Sequence, residues 1–197
     1  MRVVSILAAL AVAGCSALTS LDDLSSAQSD AGGGDAGGGS LVTNGGFENG
    51  QGGCGTNWGN GYGMTFSRTS PGHTGSSACL VCIQGSNQSY QIDAIATIPV
   101  QAGNYYAEAW LDTPWDGGTA TQGVGIQVHF TGNGSMSGCD GDGTSYCQGS
   151  FVGPGGWASS STTFVVTGSG TLQVAIHSYD GTPSSCFALD DVAVYAQ

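Results

Sequence analysis

Short runs of alternating apolar and polar residues dominate the second half of the chain, and clusters of Gly, Ser, Asn and Thr separate them. This alternation is typical of β-strands with one buried face, and no comparable helical spacing occurs after residue 40. The clearest strands are predicted at residues 89–100, 105–113, 123–131, 160–167, 171–178 and 187–195. About eight to ten short strands favour an all-β domain in which two antiparallel sheets pack as a sandwich.

The predicted strand at residues 105–113 has two faces of different character. One face carries Tyr105, Ala107, Ala109 and Leu111, and the other carries Tyr106, Glu108, Trp110 and Asp112. We expect the first face to lie in the core. The second face combines two aromatic rings with two carboxylates, a composition that suits recognition of a ligand that is polar yet flat.

The first 40 residues follow a different pattern. Arg2 precedes an apolar run at residues 3–13 that ends in small residues, as a secretory signal does. The run is half the length of the ~20 residues that a membrane-spanning helix needs. Residues 16–40 contain Ser-Asp and Gly-rich repeats with almost no apolar surface, which predict a flexible tether.

The end of the apolar run, Val12-Ala13-Gly14-Cys15, resembles the bacterial lipobox. The resemblance implies that the thiol of Cys15 receives diacylglycerol, that the leader is removed before it, and that the new amine is acylated. We expect residues 1–14 to be a lipoprotein signal peptide, residues 15–40 the lipidated cysteine and its tether, and residues 41–197 the folded domain. The protein would be exported and lipid-anchored to the cell envelope, at the outer membrane or the cell surface. The alternative is an ordinary signal peptide with a cysteine nearby by chance.

Charge excludes several classes of partner. Without the leader, Arg68 is the one Lys or Arg residue, whereas all 14 Asp and Glu residues remain. Nucleic acids and anionic lipid headgroups are not expected as partners, because both need clustered Lys and Arg to displace counterions. Phosphorylated substrates are disfavoured for the same reason.

Six cysteines lie in the domain, and an even number in an exported chain predicts three disulfides. Cys139 and Cys147 flank a short loop and are expected to pair. The other four, Cys54, Cys79, Cys82 and Cys186, allow three connectivities. Cys79 and Cys82 would point to opposite faces of one strand, so we do not expect them to pair with each other. Zinc binding by these two is a weak alternative, since no second such pair exists.

Three segments together carry a family resemblance: LVTNGGFENG at residues 41–50, PVQAGNYYAEAW at residues 99–110, and FALDDVAV at residues 187–194. They resemble, in order and spacing, the cellulose- and xylan-binding modules of the CenC type, which are galactose-binding-like jelly rolls. The resemblance covers essentially all of residues 41–197. It implies a β-sandwich that holds a polysaccharide or oligosaccharide in a groove on one sheet and is not itself an enzyme.

Family members are usually attached to glycoside hydrolase domains, and this sequence contains none. Two further functions therefore stay open. The domain could be a structural or adhesion protein that binds a cell-surface protein partner, or an accessory subunit that recruits a separate glycanase.

The resemblance also implies a structural calcium site at the seam between the first and last strands, with Gly46, Glu48, Asp190 and Asp191 as ligands. Calcium takes about six to eight oxygens, so backbone carbonyls from the loop at residues 72–76 would complete the set. By strand alternation Asp190 shares the face of Val192 and Val194, which we interpret as inward. The alternative is that Glu48 and Asp190 only accept backbone hydrogen bonds.

Sugar binding needs flat rings against the pyranose and polar groups for its hydroxyls. The ring candidates are Tyr106, Trp110 and Trp115, with Glu108, Asp112 and Gln127 as polar partners. Tyr62, Tyr90 and Tyr179 are weaker candidates, because they lie near loops that could rim a groove. Trp58 and Trp157 are expected to pack on the core.

No residue set favours catalysis. Glycoside hydrolysis needs two carboxylates facing each other across a bond, whereas Glu108 and Asp112 lie about 13 to 14 Å apart by strand rise. The pair of Glu48 and Asp190 belongs to the seam. The three histidines are scattered, and no Gly-x-Ser-x-Gly motif occurs.

Overall fold

The structure is a computed structural model that describes residues 39–48, 54, 58, 64–83, 96–113, 123–139, 145–179 and 186–197. These residues form ten strands: β1 (Met64–Thr69), β2 (Ala78–Ile83), β3 (Ala96–Val100), β4 (Gly103–Asp112), β5 (Gly123–Gly132), β6 (Met136–Ser137), β7 (Tyr146–Gln148), β8 (Ala158–Val166), β9 (Gly170–Tyr179) and β10 (Cys186–Ala196). No helix within these ranges is both long and apolar enough to cross a membrane.

The strands form two antiparallel sheets, which confirms the predicted all-β sandwich. The six-stranded sheet has the order β1-β2-β10-β4-β8-β6, and the four-stranded sheet has the order β3-β9-β5-β7. Five of the six predicted strands match the observed ends within two residues. The described part of the remaining one begins at Ala96, and residues 89–95 lie outside the described residues.

Alternation along the central strand β4 decides which face lies in the core. Tyr105, Ala107, Ala109 and Leu111 are at most 5% exposed, and the residues between them are partly exposed. The opposing sheet contributes branched aliphatic side chains such as Ile126, Leu172 and Ile176, all fully buried. The predicted core face of β4 is therefore confirmed, and its other face is the outer face of the six-stranded sheet.

A β-bulge interrupts the pairing of β10 with β4. Asp190 pairs with Trp110 and Ala193 pairs with Glu108, so two residues of β10, Asp191 and Val192, lie opposite the single residue Ala109 of β4. Asp191, inside the bulge, has a φ of 45°. A bulge resets the alternation of side chains, and Asp190 therefore lies on the outer face with Trp110. The prediction that Asp190 shares the inward face of Val192 was wrong, because alternation was read through the bulge.

The N-terminal segment of the domain lies along β10. The main-chain N–H of Leu41 donates to the carbonyl of Val194 at 2.8 Å, and that of Val192 donates to Gly45 at 3.0 Å. Phe47, 2% exposed, packs against Trp58 with ring centroids 5.1 Å apart. The expected core packing of Trp58 is confirmed, and the chain start and the last strand meet at one seam.

All six domain cysteines are paired. Cys139–Cys147 forms as predicted, and the open connectivity resolves to Cys54–Cys79 and Cys82–Cys186. Cys79 is buried on the inner face of β2, whereas Cys82 lies on the outer face directly opposite Cys186. The expectation that Cys79 and Cys82 do not pair with each other is confirmed.

Candidate functional site

The outer face of β4 brings four of the predicted sugar-binding residues into one row: Tyr106, Glu108, Trp110 and Asp112, each partly exposed. The hydroxyl of Tyr106 donates to Oε2 of Glu108 at 2.9 Å, and the Tyr106 ring stacks on Tyr195 of β10 with centroids 6.3 Å apart. Burial raises the pKa of Tyr106; a hydrogen bond from Ser161 opposes this, and the Glu108 carboxylate adds to it. Tyr106 is therefore a neutral donor held in place by its neighbours.

The ring of His73 covers one face of the Trp110 indole, so a ligand cannot contact that face. The His73 ring stacks on the Trp110 indole with centroids 3.8 Å apart and planes 12° apart. His73 also contacts Trp157 at a centroid distance of 5.6 Å, and Trp157 is only partly buried. The loop that carries His73, residues 70–77, which we call the seam loop, thus covers part of the predicted aromatic surface.

A cavity of about 700 Å³ opens beside Tyr106, and we call it the Tyr106 cavity. Its lining consists of Tyr106, residues 161–163 of β8, residues 138–139 and residues 148–151. These lining residues carry hydroxyl, amide and aromatic groups and no formal charge. Phe151 is 43% exposed, so one apolar ring of the lining is open to solvent.

Gln127 lies on the other sheet and does not join the row on β4. It faces outward from β5, where its amide oxygen accepts a hydrogen bond from Nε2 of His129 at 2.8 Å. It pairs in register with Gln148, whose amide donates to Nδ1 of His177 at 3.4 Å. Because Gln148 also lines the Tyr106 cavity, Gln127 lies next to the cavity residues although it does not line the cavity.

Other predicted sugar-binding residues are not placed. Trp115, Tyr62 and Tyr90 lie outside the described residues, and of Tyr179 only the strand position in β9 is described. The lining residues Phe151 and Gln148 were not predicted, since neither belongs to a long alternating run. The outward hydroxyls of Ser161 and Thr163 were within reach of sequence reasoning, because they alternate along a predicted strand.

The carboxylates predicted for a metal site hold the loop at residues 70–77 from two sides. Oδ2 of Asp190 accepts the main-chain N–H groups of His73 at 2.7 Å and Thr74 at 3.3 Å. Asp191 accepts from Nδ1 of His73 at 2.8 Å and from the hydroxyl of Thr74 at 2.7 Å. The β10 bulge aims both carboxylates at one loop.

Glu48 holds the other end of the same loop. Its Oε1 accepts the main-chain N–H groups of Ser76 at 2.7 Å and Ser77 at 2.8 Å, and its Oε2 accepts the Ser76 hydroxyl. Burial acts to raise the pKa of Glu48, but these hydrogen bonds and the charge of Arg68 outweigh it, so the pKa is lowered. Arg68 donates to the Glu48 carbonyl oxygen at 2.7 Å.

Asp190 is the most deeply buried of these groups, at 0% exposed. Burial raises its pKa to about 7, the charge of Asp191 adds to the rise, and hydrogen bonds from Asp191, His73 and Thr74 offset part of it. A buried carboxylate with a raised pKa indicates a place where its negative charge is costly.

Three oxygen atoms converge beside Gly72. A methyl group at Gly72 would lie 2.5 Å from the carbonyl oxygens of Thr74 and Ser77 and 2.6 Å from Oδ2 of Asp190. These oxygens are of the kind that calcium takes as ligands. Among the described residues, no group of three or more His, Cys, Asp and Glu side chains could hold a metal, so main-chain carbonyls would have to complete the ligand set. Gly46 lies in the buried turn two residues before Glu48.

Comparison with known proteins shows the fold. The CBM22-1 xylan-binding domain from Paenibacillus barcinonensis Xyn10C has a TM-score of 0.56 at 16% identity, covering 81% of this chain and 95% of that one. TmCBM61, solved in complex with β-1,4-galactotriose, has a TM-score of 0.51 at 15% identity, covering 80% and 99%. This chain has the β-sandwich fold of carbohydrate-binding modules.

The same fold also occurs within larger enzymes. The arabinose-bound MgGH51 α-L-arabinofuranosidase has a TM-score of 0.52 at 10% identity, and the match covers 82% of this chain but 27% of that one. No family model matches the sequence, and no curated protein matches it significantly. At identities this low, the likeness establishes the architecture of the sandwich and not its ligand.

Proposed function

We propose that residues 41–197 form a non-catalytic carbohydrate-binding module of the CenC type that takes a polysaccharide or oligosaccharide in the Tyr106 cavity. The observation that carries this proposal is the cavity's size and lining: about 700 Å³, bounded by hydroxyl, amide and aromatic groups. Ligand sites of this kind measure about 300 to 1,000 Å³ and combine apolar surface with a few polar groups. The two structural neighbours named above, one xylan-binding and one in complex with galactotriose, support the ligand class.

The chemistry of the lining suits a sugar. The rings of Tyr106 and Phe151 offer apolar surface for the C–H face of a pyranose, and Ser161, Thr163 and Gln148 offer donors and acceptors for its hydroxyls. Of the ring candidates Tyr106 and Trp110, Tyr106 lines the cavity and Trp110 does not, so Tyr106 is the proposed ring platform.

Retention of the purified full-length protein on immobilised polysaccharides tests the proposal. Tyr106→Ala and Phe151→Ala should each weaken binding by about tenfold, since losing a ring contact removes about 1.4 kcal/mol. Leu41→Ala is the matched control, because Leu41 is a 40% exposed apolar residue at the seam, away from the cavity lining.

Trp110→Ala distinguishes the cavity from the part of the row around Trp110, which does not line the cavity. We expect this variant to melt at lower temperature, because it loses the stack with His73, and to keep its binding when folded. Loss of binding in folded Trp110→Ala with full binding in Tyr106→Ala would place the sugar at Trp110 instead. No retention of the wild-type protein on any glycan would favour the protein-binding or structural alternative.

We also propose a structural calcium ion beside Gly72, with Glu48, Asp190 and Asp191, which all accept hydrogen bonds from the loop at residues 70–77, as the acidic candidates and Gly46 as a candidate in the adjoining turn. The convergent oxygens and the raised pKa of Asp190 support this proposal. The ion would neutralise charge and fix the loop that carries His73. Calcium should therefore raise the melting temperature, and a chelator should reverse the effect.

The proposed location is the cell envelope, with Cys15 as the lipidated first residue of the mature chain. Support for this comes from the lipobox resemblance alone. The tether at residues 16–40 would connect the lipidated Cys15 to the folded module.

A further inference from the structure

Glu108 places a negative charge next to Tyr106 at the edge of the Tyr106 cavity, although Glu108 does not itself line the cavity. Its carboxylate accepts a hydrogen bond from the hydroxyl of Tyr106, which lines the cavity, at 2.9 Å, and the Glu108 side chain is itself partly buried. A carboxylate removed from bulk water is stabilised by an opposite charge more strongly than one at the open surface. This position therefore favours a ligand that extends from the cavity past Tyr106 and carries positive charge near Glu108.

The protein supplies little positive charge of its own. The sequence contains no lysine and two arginines, of which Arg2 lies in the predicted leader. The other, Arg68, donates to the carbonyl oxygen of Glu48 and lies 3.9 Å from its carboxylate. Arg68, on β1, is thus held at Glu48. In the six-stranded sheet, the three strands β2, β10 and β4 separate β1 from β8, which lines the cavity.

A second carboxylate, Asp191, adds to the negative potential near Tyr195, which lies beside Tyr106. Tyr195 stacks beside Tyr106, and its pKa is raised by burial first and then by the charges of Glu108 and Asp191. The net charge of the whole chain is −12. A uniformly negative protein attracts cationic ligands and repels anionic ones over distances of about a Debye length, ~10 Å at 0.1 M salt.

We propose that the Tyr106 cavity selects glycans that carry free amino groups, with a sugar ammonium beside the Glu108 carboxylate. The proposal rests on the proposed function, because it assigns a substrate class to the same cavity. The uncharged lining would contact the ring and hydroxyls, and Glu108 would distinguish a glucosamine unit from its N-acetylated form. Uronic acid and sulfated glycans would be rejected.

Titration of the purified full-length protein with glucosamine oligomers and N-acetylglucosamine oligomers of equal length tests this directly. At mildly acidic pH, where the sugar amine is charged, the free amine should bind about tenfold more tightly. Parallel titrations with β-1,4-linked and β-1,6-linked glucosamine oligomers show which kind of amino glycan fits.

Glu108→Gln removes the charge and keeps the shape of the side chain. This variant should lose the tenfold preference for the amine and bind the N-acetylated oligomer within about twofold of wild type. Asp35→Asn is the control for net charge, because it makes the same charge change in the predicted tether at residues 15–40, outside the folded domain. The preference should persist in Asp35→Asn.

The outcomes separate this inference from the proposed function. Equal binding of both oligomers, with loss of both in Tyr106→Ala, overturns the amine preference and leaves the carbohydrate site standing. No binding of either oligomer or of any neutral glycan overturns both. Equal binding of an oligolysine, lost in Glu108→Gln, would show that the cavity selects cationic peptides instead and would also overturn the inference.

Discussion

Gly72 occupies the position in the seam loop where a side chain has no room. Its neighbours are the carbonyl oxygens of Thr74 and Ser77 and the carboxylate of Asp190, all within 2.6 Å of where a methyl group would lie. The proposed cation would contact the same three oxygens. A side chain at Gly72 would therefore disturb both the packing of the loop and the proposed ligands.

Gly72→Ala should destabilise the domain by about 1 to 3 kcal/mol, as an inserted methyl group does in a well-packed site. It should also abolish the calcium-dependent rise in melting temperature, because the methyl group would push apart the oxygens proposed to bind the ion. Gly153→Ala is the control, since nothing lies within 4 Å of its added methyl group, and it should change stability by about 0.5 kcal/mol or less. A calcium response in Gly72→Ala equal to that of wild type would remove the ion from this position.

His177 couples stability to pH on the four-stranded sheet. Burial lowers its pKa from the ordinary 6.5, and the charge of His129 lowers it further. The unfolded chain therefore takes up this proton at a higher pH than the folded chain. The stability that a neutral His177 contributes is present above about pH 6.5 and is lost as pH falls below that value, by at most about 1.4 kcal/mol per pH unit.

His177→Gln should flatten this part of the pH dependence. Urea unfolding between about pH 7 and pH 5 should show the wild type losing more stability than the variant as the pH falls. The comparison must be made between the two proteins, because the raised pKa of Asp190 acts in the opposite direction in both. Parallel curves for the two proteins would contradict the assignment to His177.

At the level of single residues, contacts within one strand were predictable and contacts between distant segments were not. Tyr106 and Glu108 are two positions apart on one strand, so alternation alone placed them together. Their neighbour Trp110 was predicted as a ring platform, and no local pattern shows that His73, on a distant loop, stacks on it. That contact depends on hydrogen bonds from the loop to Asp190 and Asp191, across more than 110 residues of sequence.

At the level of elements, the strands with clear alternation were predicted nearly to their ends, because one face of each packs in the core. The short strands β6 and β7, of two and three residues, were not among the clearest predictions. A strand this short does not show a recognisable alternation of apolar and polar residues. The β10 bulge was missed for a related reason. It adds residues without breaking the apolar run at Val192 and Val194, so alternation read through it placed Asp190 on the wrong face.

The three disulfides join elements across very different lengths of chain. The bonded cysteines are 104 residues apart in Cys82–Cys186, 25 in Cys54–Cys79 and 8 in Cys139–Cys147. If the main effect is on the entropy of the unfolded chain, the contribution of a disulfide grows with the length of the loop it closes. The bond between β2 and β10 then contributes most.

Paired alanine substitutions should therefore lower the free energy of unfolding in that order. The chain-entropy relation gives losses of about 4.7, 3.5 and 2.5 kcal/mol for the three bonds, from the longest loop to the shortest. Denaturant unfolding of the three double variants measures the order. A larger loss for Cys139/Cys147 than for Cys82/Cys186 would show that native packing, and not loop closure, decides the contributions.

At the scale of the whole molecule, the two-sheet sandwich was predictable from the alternation of apolar and polar residues. The net negative charge of the chain disfavours nucleic acids and anionic lipids as partners. The two outer faces have different features: the six-stranded sheet carries the row on β4 and the seam loop, and the four-stranded sheet carries Gln127 and His129. The Tyr106 cavity joins residues from both sheets. The cavity was not predicted from the sequence, because the cavity forms where β8 and the segment after β7, which are distant in sequence, approach each other in the fold.

Cys15 is the residue on which the proposed attachment to the membrane depends. If Cys15 is lipidated, the full chain expressed in a bacterium should incorporate labelled fatty acid and enter the detergent phase on extraction, because acyl chains contribute about 0.8 kcal/mol per buried methylene. Cys15→Ser removes the acceptor thiol and should abolish both signals, whereas Ser16→Ala, one residue on, should keep them. An ordinary signal peptide would instead release an unlabelled soluble protein from wild type and both variants. Because the domain carries almost no basic residues to bind anionic lipid, membrane association that survives in Cys15→Ser would need a different anchor and would contradict the lipobox prediction.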